Sequence, residues 1–391
     1  MLDISRLMLG QVSWAEEIRY RKPDSAKSPP HWKDRRPVVV WNSTIQCNLN
    51  CAHCYINAKK QPDPGELNTA EARTMIDDLA DFGVPVLIFS GGEPLLRKDL
   101  FELSYYAARK GLRVVISSNG TIIDRPTARR MKDFGISYVG ISLDGLPRTH
   151  DRMRGRPGSF ANALRGMRYC LEEDLKVGLR YTLTAYNFQD IEPVLDKMAQ
   201  EGVPRACVYH LVYSGRGSNL INQDLTREEC RFIVNHLFRL LKEYDEAGIS
   251  MELLTVDNHC DGVLLYQKLL KEDPAKAYEA YDLLRWNGGN QSGIAIACIG
   301  NTGEVHPDQF WQNYSFGNIR EKRFSEIWMD TSDPLMAGLK ERKKLLKGRC
   351  SKCQYIDICN GNMRVRAEAV TGDIWAPDPA CYLTDEEIGI A

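Results

Sequence analysis

The sequence lacks long apolar runs, and it has no excess of charge of either sign. No stretch approaches about eighteen consecutive apolar residues, which excludes a membrane-spanning helix. The start, Met1 to Arg6, has no basic-then-apolar pattern, which argues against a signal peptide. The 51 basic and 52 acidic residues leave a net charge of −1, which excludes nucleic-acid binding through bulk electrostatics. We therefore expect a cytoplasmic protein with no membrane span and no nucleic-acid partner.

Length and cysteine content are both informative. At 391 residues the chain exceeds the usual single domain, so we expect one large α/β domain with a smaller appendage. The twelve cysteines would lie in a reducing compartment, where metal ligands and buried thiols are more plausible than disulfides.

Three cysteines are grouped directly after an apolar strand candidate. Cys47, Cys51 and Cys54 have C-x3-C-x2-C spacing, and Tyr55 closes the loop. Such a loop can bind three irons of an iron–sulfur cube and leave the fourth without a protein ligand. The alternatives are a zinc knuckle and a chance cluster of cysteines. Zinc structural sites favour four closed ligands in paired C-x2-4-C spacings, and His53 lies too close to its neighbours for that geometry.

Strand and helix patterns alternate from residue 38 to about residue 213. Apolar runs predict six strands, at 38–44, 84–89, 114–117, 138–143, 177–183 and 207–212. Helix patterns lie between them, and the first opens with a capping box formed by Asn68 and Glu71. This alternation predicts right-handed crossovers and a parallel sheet, whose active groups lie at the carboxyl ends of the strands. The cysteine loop follows the first strand, as that rule requires.

The cysteine loop in this position resembles the signature of the radical S-adenosylmethionine (SAM) enzymes. The resemblance implies an open partial (β/α)6 barrel, related to the TIM barrel. It also implies a 4Fe-4S cluster whose free iron chelates the amino and carboxylate groups of S-adenosyl-L-methionine.

Two strand ends carry segments that resemble SAM-binding motifs of this family. Ser90 to Pro94 resembles the GGE motif, in which Gly91 and Gly92 would let the backbone approach a ligand and Glu93 would accept from the methionine ammonium. Ser118 and Asn119 resemble the S/T-N-G segment near the nucleoside. An ordinary Asn-Gly turn is an equal alternative for that segment.

The fourth strand end carries Ser142 and Asp144, followed by a stretch that ends at Arg154. The resemblance implies that Ser142 contacts the ribose region of SAM and that Arg154 reaches the SAM carboxylate. A solvated surface charge is the alternative for Arg154.

A second cysteine group lies near the end of the chain. Cys350, Cys353 and Cys359 have C-x2-C-x5-C spacing, and Cys381 follows. The group resembles the auxiliary-cluster domain called SPASM, or its shorter twitch form, which implies a second 4Fe-4S cluster. A zinc site on the same thiolates is the alternative.

The other cysteines do not extend this second group. Cys298 and Gly303 match part of the motif for a further cluster, but Asp308 stands where that motif needs a cysteine. We therefore expect one auxiliary cluster and leave the role of Cys298 open. Four isolated cysteines are expected to be buried small hydrophobes: Cys170, Cys207, Cys230 and Cys260.

These patterns predict four segments. They are an extended arm over 1–37, a radical SAM barrel over 38–250, a linking and substrate-contact segment over 251–295 and an auxiliary-cluster domain over 296–391. A non-catalytic iron–sulfur carrier is the alternative to an enzyme, but a carrier needs neither the GGE motif nor the stretch from Ser142 to Arg154. We therefore expect an enzyme that is reduced by a low-potential donor of the ferredoxin or flavodoxin type.

Segments over 36–42, 255–259, 286–293 and 303–311 resemble the tetrapyrrole-tailoring branch of the radical SAM enzymes. The resemblance implies removal of acetate side chains from 12,18-didecarboxysiroheme to give Fe-coproporphyrin III. Propionate removal in haem d1 formation and peptide maturation are the alternatives. An iron tetrapyrrole needs an axial imidazole and carboxylate-binding groups. The candidate imidazoles are His210, His259 and His306, and the candidate carboxylate-binding group is Arg216.

Overall fold

The structure, a computed structural model, describes residues 1–11 and 30–390, which are organised around one sheet of ten strands. The strands are β1 (Leu2–Asp3), β2 (Val38–Thr44), β3 (Val86–Gly91), β4 (Arg113–Ser118), β5 (Ile136–Ser142), β6 (Val177–Thr182), β7 (Arg205–Tyr209), β8 (Glu252–Val256), β9 (Ile296–Ile299) and β10 (Val305–His306). Their order in the sheet is β1-β8-β7-β6-β5-β4-β3-β2-β9-β10.

Helices connect the strands. In the first part of the chain they are α1 (Ile4–Leu9), α2 (Thr69–Phe82), α3 (Leu100–Arg109), α4 (Arg125–Asp133), α5 (Pro147–Arg154), α6 (Ser159–Glu172), α7 (Ile191–Gln200) and α8 (Arg227–Glu246). They continue with α9 (Cys260–Glu272), α10 (Pro274–Asn287), α11 (Phe324–Met329), α12 (Pro334–Lys340), α13 (Ile356–Cys359) and α14 (Arg364–Thr371). No helix in these described ranges is long and apolar enough to cross a membrane.

The predicted α/β partial barrel is confirmed. Strands β2 to β8 pair in parallel and in chain order, with helices in the crossovers. The capping box of α2 forms as predicted, with Asn68 and Glu71 bonding to each other's backbone N–H groups, and Gly83 ends the helix in a left-handed conformation. All carboxyl ends of these strands therefore meet at one edge of the sheet.

The two faces of the sheet differ. One face packs against the helices through fully buried residues such as Phe89, Ile116 and Leu179. We call the other face the inner face. Its amino end is closed by an apolar cluster around Val115 and Tyr138, and β7 and β8 line it with Cys207, Tyr209, Leu254 and Val256.

The extended arm predicted over residues 1–37 is wrong for its first residues. β1 pairs antiparallel with β8, and α1 buries Ile4 and Leu7 in the main core. The physical reason is local: Asp3 caps the helix by accepting from the N–H of Arg6, and the apolar side chains face one way. Residues 12–29 of the predicted arm lie outside the described residues.

The sheet also runs past the predicted end of the barrel at residue 250. β8 lies beside β7, and β9 pairs in parallel with β2 at the opposite side. The linking segment and the C-terminal segment thus each add to the same sheet. The predicted boundaries at 250 and 295 stay a prediction.

Candidate functional site

The cysteine loop leaves the carboxyl end of β2 and folds over the edge of the sheet. The N–H of Cys47 donates to the carbonyl of Lys59 over 2.7 Å, which closes the loop at its base. The N–H of Ala52 donates to the carbonyl of Met153 over 2.8 Å and ties the middle of the loop to α5. Cys47 and Cys51 are buried, and Cys54 is half-buried.

Each sulfur of this loop receives a hydrogen bond. The N–H of Leu49 lies 3.4 Å from the Cys47 sulfur, and the N–H of Ala58 lies 3.3 Å from the Cys54 sulfur. Arg154 Nη1 lies 3.6 Å from the Cys51 sulfur. Such donors stabilise thiolate ligands. Burial raises the pKa of Cys47 to about 12, so metal binding would have to displace its proton. The donor set fits three thiolate ligands of an iron–sulfur cluster.

Gly91 and Gly92 are required by the packing of the cysteine loop. A Cβ on Gly91 would lie 2.3 Å from the carbonyl oxygen of Thr44, and one on Gly92 would lie 2.1 Å from that of Gln46. The N–H groups of Gly92 and Glu93 donate to those same two carbonyls. The two glycines were predicted to let the backbone approach a ligand. In the structure they let the backbone of the cysteine loop pack against β3.

Glu93 is fully buried and connects two strand ends. It accepts from Ser118 Oγ at 2.9 Å, from the N–H of Asn119 at 2.8 Å and from the N–H of Leu95 at 3.2 Å. Burial raises the pKa of Glu93 to about 7. A carboxylate offers about four acceptor positions, so these three donors leave room for one more.

Asp144 is the centre of a buried charge network at the end of β5. Its Oδ2 lies 2.5 Å from Arg154 Nη2 and 3.3 Å from His53 Nε2. Burial alone would raise the pKa of Asp144, but Arg154 and His53 outweigh that effect and hold it below its usual range. His53 is a residue whose part in the site the sequence did not reveal, because its partner is 91 positions away in the chain.

Arg154 therefore lies between a carboxylate and a cysteine sulfur. It is 8% exposed, so the alternative of a solvated surface charge is wrong. Ser142, which the resemblance places near the ribose, is the last residue of β5 and is half-buried.

Tyr55 links the loop to the inner face and to the C-terminal part of the chain. Its hydroxyl donates to Asn42 Oδ1 over 2.8 Å and lies 3.0 Å from Ser90 Oγ. Its ring meets Phe310 edge-on, with centroids 5.5 Å apart. Asn42 Nδ2 also donates to the sulfur of Cys298 at 3.4 Å. Cys298 is thus a fully buried thiol in contact with the residues around Tyr55.

Arg216, which was predicted to bind a substrate carboxylate, lies against the cysteine loop. Its Nε donates to the carbonyl of Cys51 over 2.8 Å, and its Nη1 donates to that of Ala58 over 3.2 Å. The backbone of Gly215 lies so close that a Cβ there would be 2.5 Å from the Cys54 carbonyl oxygen. Arg216 therefore supports the cysteine loop.

The three predicted imidazoles have different surroundings. His210 is buried, and its Nε2 is already engaged by Asp261 at 3.0 Å. His306 donates from Nδ1 to the carbonyl of Tyr314 over 2.5 Å, which leaves Nε2 as the acceptor nitrogen. His259 follows the carboxyl end of β8, and burial lowers its pKa, as it also lowers that of His306.

The C-terminal cysteines surround one cavity, as their spacing predicts. Cys350, Cys353, Cys359 and Cys381 line it, and all four are half-buried. Gly289 packs so tightly that a Cβ would lie 2.3 Å from the Cys359 carbonyl. Within residues 1–11 and 30–390, no three His, Cys, Asp or Glu side chains are close enough to hold a single metal ion. A cluster of four irons takes one thiolate per iron, so its ligands need not meet at one ion. We call each of the two cysteine groups a ring of thiols.

Cys260 lines the same cavity, although the sequence suggested an isolated thiol. Its sulfur donates to Asn258 Oδ1 over 3.0 Å. The other three isolated cysteines, Cys170, Cys207 and Cys230, are buried among apolar neighbours as predicted.

The fold and the first cysteine loop define an α/β partial-barrel enzyme with its chemistry at the carboxyl edge of the sheet. Comparison with known families agrees. Residues 41–213 match the model of the radical SAM superfamily, and residues 292–354 match the model of an iron-sulfur cluster-binding domain. These two matches imply SAM and iron–sulfur clusters as cofactors.

Relatives match nearly the whole chain. The sequence is 55% identical to Fe-coproporphyrin III synthase of Methanosarcina barkeri, over 100% of this chain and 99% of the relative. It is 42% identical to pre-heme d1 synthase of Dinoroseobacter shibae, over 91% of this chain and 88% of the relative. The chain belongs to the radical SAM superfamily and, within it, to the family that contains these two proteins.

A solved structure shows the same fold at low identity. Streptococcus suis SuiB, bound to its precursor peptide SuiA, superimposes with a TM-score of 0.70 at 17% identity. The match covers 89% of this chain and 76% of that one. At this identity the likeness concerns the fold alone.

Proposed function

We propose that the protein removes acetate side chains from 12,18-didecarboxysiroheme to give Fe-coproporphyrin III. The observation that carries the proposal is the 55% identity to Fe-coproporphyrin III synthase over the full length of both chains. The cysteine loop and the residues around it supply the site that such a radical enzyme needs.

Cys47, Cys51 and Cys54 would hold a 4Fe-4S cluster with one open iron. When bound, that cluster and SAM supply the radical that abstracts hydrogen from an unactivated carbon. The protein's own residues orient these groups. Glu93 has one acceptor position left for the methionine ammonium of SAM, and Arg154 places a buried positive charge beside the Cys51 sulfur.

The nucleoside of SAM would lie along the neighbouring strand ends. Ser118 and Asn119 are held by Glu93 at the end of β4, and Ser142 ends β5. Asp144 would act by fixing Arg154, and Gly91 and Gly92 by letting the cysteine loop approach β3. The Tyr55 hydroxyl would close this region on the inner-face side.

A second 4Fe-4S cluster would occupy the ring of Cys350, Cys353, Cys359 and Cys381. Four thiols that line one cavity are the ligand set of such a cluster. Cys298 would add no ligand to that ring. Its sulfur instead accepts hydrogen bonds from the side-chain amides of Asn42 and Gln312.

An iron tetrapyrrole would take an axial imidazole from His306 or His259. Metal-binding histidines commonly donate their other ring N–H to a carbonyl, as His306 does to Tyr314. Burial lowers the pKa of both histidines, which favours the neutral ring that binds iron.

The cellular setting follows from this chemistry. A low-potential donor of the ferredoxin or flavodoxin type would reduce the first cluster in the cytoplasm. The barrel over 38–250, the linking segment over 251–295 and the auxiliary domain over 296–391 would act as one enzyme around the substrate.

The test is anaerobic turnover by the cluster-loaded protein. It is incubated with SAM, a reductant and 12,18-didecarboxysiroheme, and the products are identified by mass. We expect Fe-coproporphyrin III and about two SAM consumed per product, one hydrogen abstraction for each acetate. A propionate loss would assign the activity of the pre-heme d1 branch instead. SAM cleavage only with a peptide would refute a tetrapyrrole substrate.

A further inference from the structure

One cation on the inner face has a role that the sequence motifs do not suggest. Arg180 lies in the middle of β6, between Leu179 and Tyr181, which are both fully buried among the helices. Because side chains alternate along a strand, Arg180 points to the opposite, inner face. It is half-buried, so part of its surface remains accessible.

Arg180 differs from the buried arginines of this protein in its partners. Arg154 pairs with Asp144, Arg205 with Glu252 and Arg366 with Asp378. Arg342 and Arg364 donate to nearby carbonyls and amides. In the part of the chain that the structure describes, Arg180 donates no such hydrogen bond and pairs with no carboxylate.

The fold holds this arginine in one place. Its guanidinium lies over the ring of Tyr209, 4.7 Å from the ring centre. Its side chain crosses β5 at Gly140, where a Cβ would lie 2.7 Å from Arg180 Cδ. A glycine is therefore needed where the side chain passes, and a tyrosine on the next strand supports the charged end.

In the described residues, the side chains around Arg180 offer it hydroxyls and a thiol but no carboxylate in an ion pair. They include the side chains of Tyr209, Cys207, Tyr138 and Tyr55. Asp257, after β8, is influenced by Arg180 but does not form an ion pair with it. A partly buried guanidinium without a paired anion is costly, and its planar fork matches a carboxylate.

We propose that Arg180 binds a carboxylate of the tetrapyrrole substrate and so fixes how the macrocycle lies against the inner face. The inference rests on the proposed function, which supplies a substrate with several carboxylates. The carboxylate of SAM is the other source of the same chemistry, so the test measures both ligands.

The experiment compares Arg180→Gln with the parent as anaerobic, cluster-loaded proteins. Binding of 12,18-didecarboxysiroheme is followed by its absorption spectrum, and binding of SAM is measured by equilibrium dialysis. We expect the Kd for the tetrapyrrole to rise about 10- to 100-fold, the range for a lost charged hydrogen bond. The Kd for SAM should stay within about twofold.

Two further variants and one control sharpen the result. Arg180→Lys keeps the charge but not the fork, so its tetrapyrrole affinity should lie between those of the parent and Arg180→Gln. Gly140→Ala should weaken tetrapyrrole binding by displacing the Arg180 side chain. This variant tests the proposal if Arg180→Gln does not fold. Arg130→Gln is the matched control, because Arg130 stacks on Phe101 at the exposed surface. It should bind both ligands like the parent.

The outcomes separate the two levels of inference. If the parent binds the tetrapyrrole and the Arg180 and Gly140 variants bind it equally well, the role of Arg180 is refuted and the proposed function stands. Weaker SAM binding with unchanged tetrapyrrole binding would assign Arg180 to SAM and also refute the inference. A parent protein that ignores the tetrapyrrole would overturn the proposed function and this inference with it.

Discussion

Charged side chains around the cysteine loop are held by one another across strand ends. Asp144 fixes Arg154 and His53, and Glu93 ties β3 to β4. A buried charge that loses its partner is expensive, because no water replaces it. The position of each group thus depends on its neighbours.

Replacing Asp144 with asparagine tests this dependence. The change leaves the buried Arg154 without its carboxylate, and we expect a loss of about 3–5 kcal/mol in stability. Thermal unfolding of the anaerobic protein measures it, with cluster content checked by absorbance. Asp81→Asn, at an exposed position of α2, is the control and should change stability by less than about 0.5 kcal/mol. Equal effects of both changes would refute the network.

Replacing Cys47, Cys51 and Cys54 together with alanine tests the first cluster. We expect the iron content to fall from about eight to about four atoms per chain and SAM cleavage to stop. Iron analysis and 5'-deoxyadenosine formation measure the two effects. Cys170→Ala removes a buried thiol outside both rings and should keep the iron content of the parent. An unchanged iron content in the triple variant would contradict the assignment.

The histidine candidates for the substrate iron are separated by spectroscopy. Loss of an axial imidazole changes the ligand field of the iron, so His306→Ala or His259→Ala should alter the absorption of the bound tetrapyrrole. His236→Ala is the control, because His236 lies on α8 and pairs with Glu192 near the surface. Spectra that match the parent in both test variants would exclude both histidines.

The residues of the site were predictable where their spacing in the chain is short. Cys47, Cys51 and Cys54 lie within one loop, so their spacing alone indicates a shared site. The pairing of His53 with Asp144 and the support of the loop by Arg216 depend on which strand ends become neighbours. That information is not present in any local pattern.

At the scale of helices and strands, periodicity was a good guide to the crossover units. Five predicted helices and six predicted strands are present from residue 38 to residue 209, with boundaries that move by a few residues. β1 and β10 were missed because two residues cannot show an alternating pattern. Their existence depends on distant partners in β8 and β9.

The N-terminal element is expected to stabilise the sheet. Ile4 is fully buried in the main core, so Ile4→Ala should cost about 2–5 kcal/mol by leaving a cavity. Chemical denaturation of the anaerobic protein measures the loss. Ile122→Ala is the control, since Ile122 is 37% exposed in a loop and should have a much smaller effect. A negligible loss of stability in Ile4→Ala would indicate that the N-terminal element is a loosely attached arm.

At the scale of the whole molecule, two rings of cysteines belong to one folded unit. The first follows β2 and the second lies beyond β10, yet β9 and β10 extend the same sheet. Tyr55 in the first loop meets Phe310 in the C-terminal part. The two sites are therefore fixed relative to each other by the sheet and by side-chain contact.

Replacing Cys350 and Cys353 with alanine tests how far the two rings depend on each other. We expect SAM cleavage to survive in part, because the open iron lies in the other loop, while turnover of the tetrapyrrole fails. The measurements are 5'-deoxyadenosine and tetrapyrrole product from the same anaerobic reaction. Cys230→Ala is the control and should keep both. Zinc in place of iron in the parent would refute the auxiliary cluster.

The two short antiparallel strands, β1 and β10, also affect how readily the protein aggregates when it has lost its clusters. Among the residues that the structure describes, each edge of the sheet ends in a strand of only two residues, β1 on one side and β10 on the other. A long unpaired edge is a template on which other chains add strands and build aggregates. Here both borders offer little backbone for such growth. Chains that have lost their clusters to oxygen should therefore remain dispersed and reloadable instead of joining edge to edge.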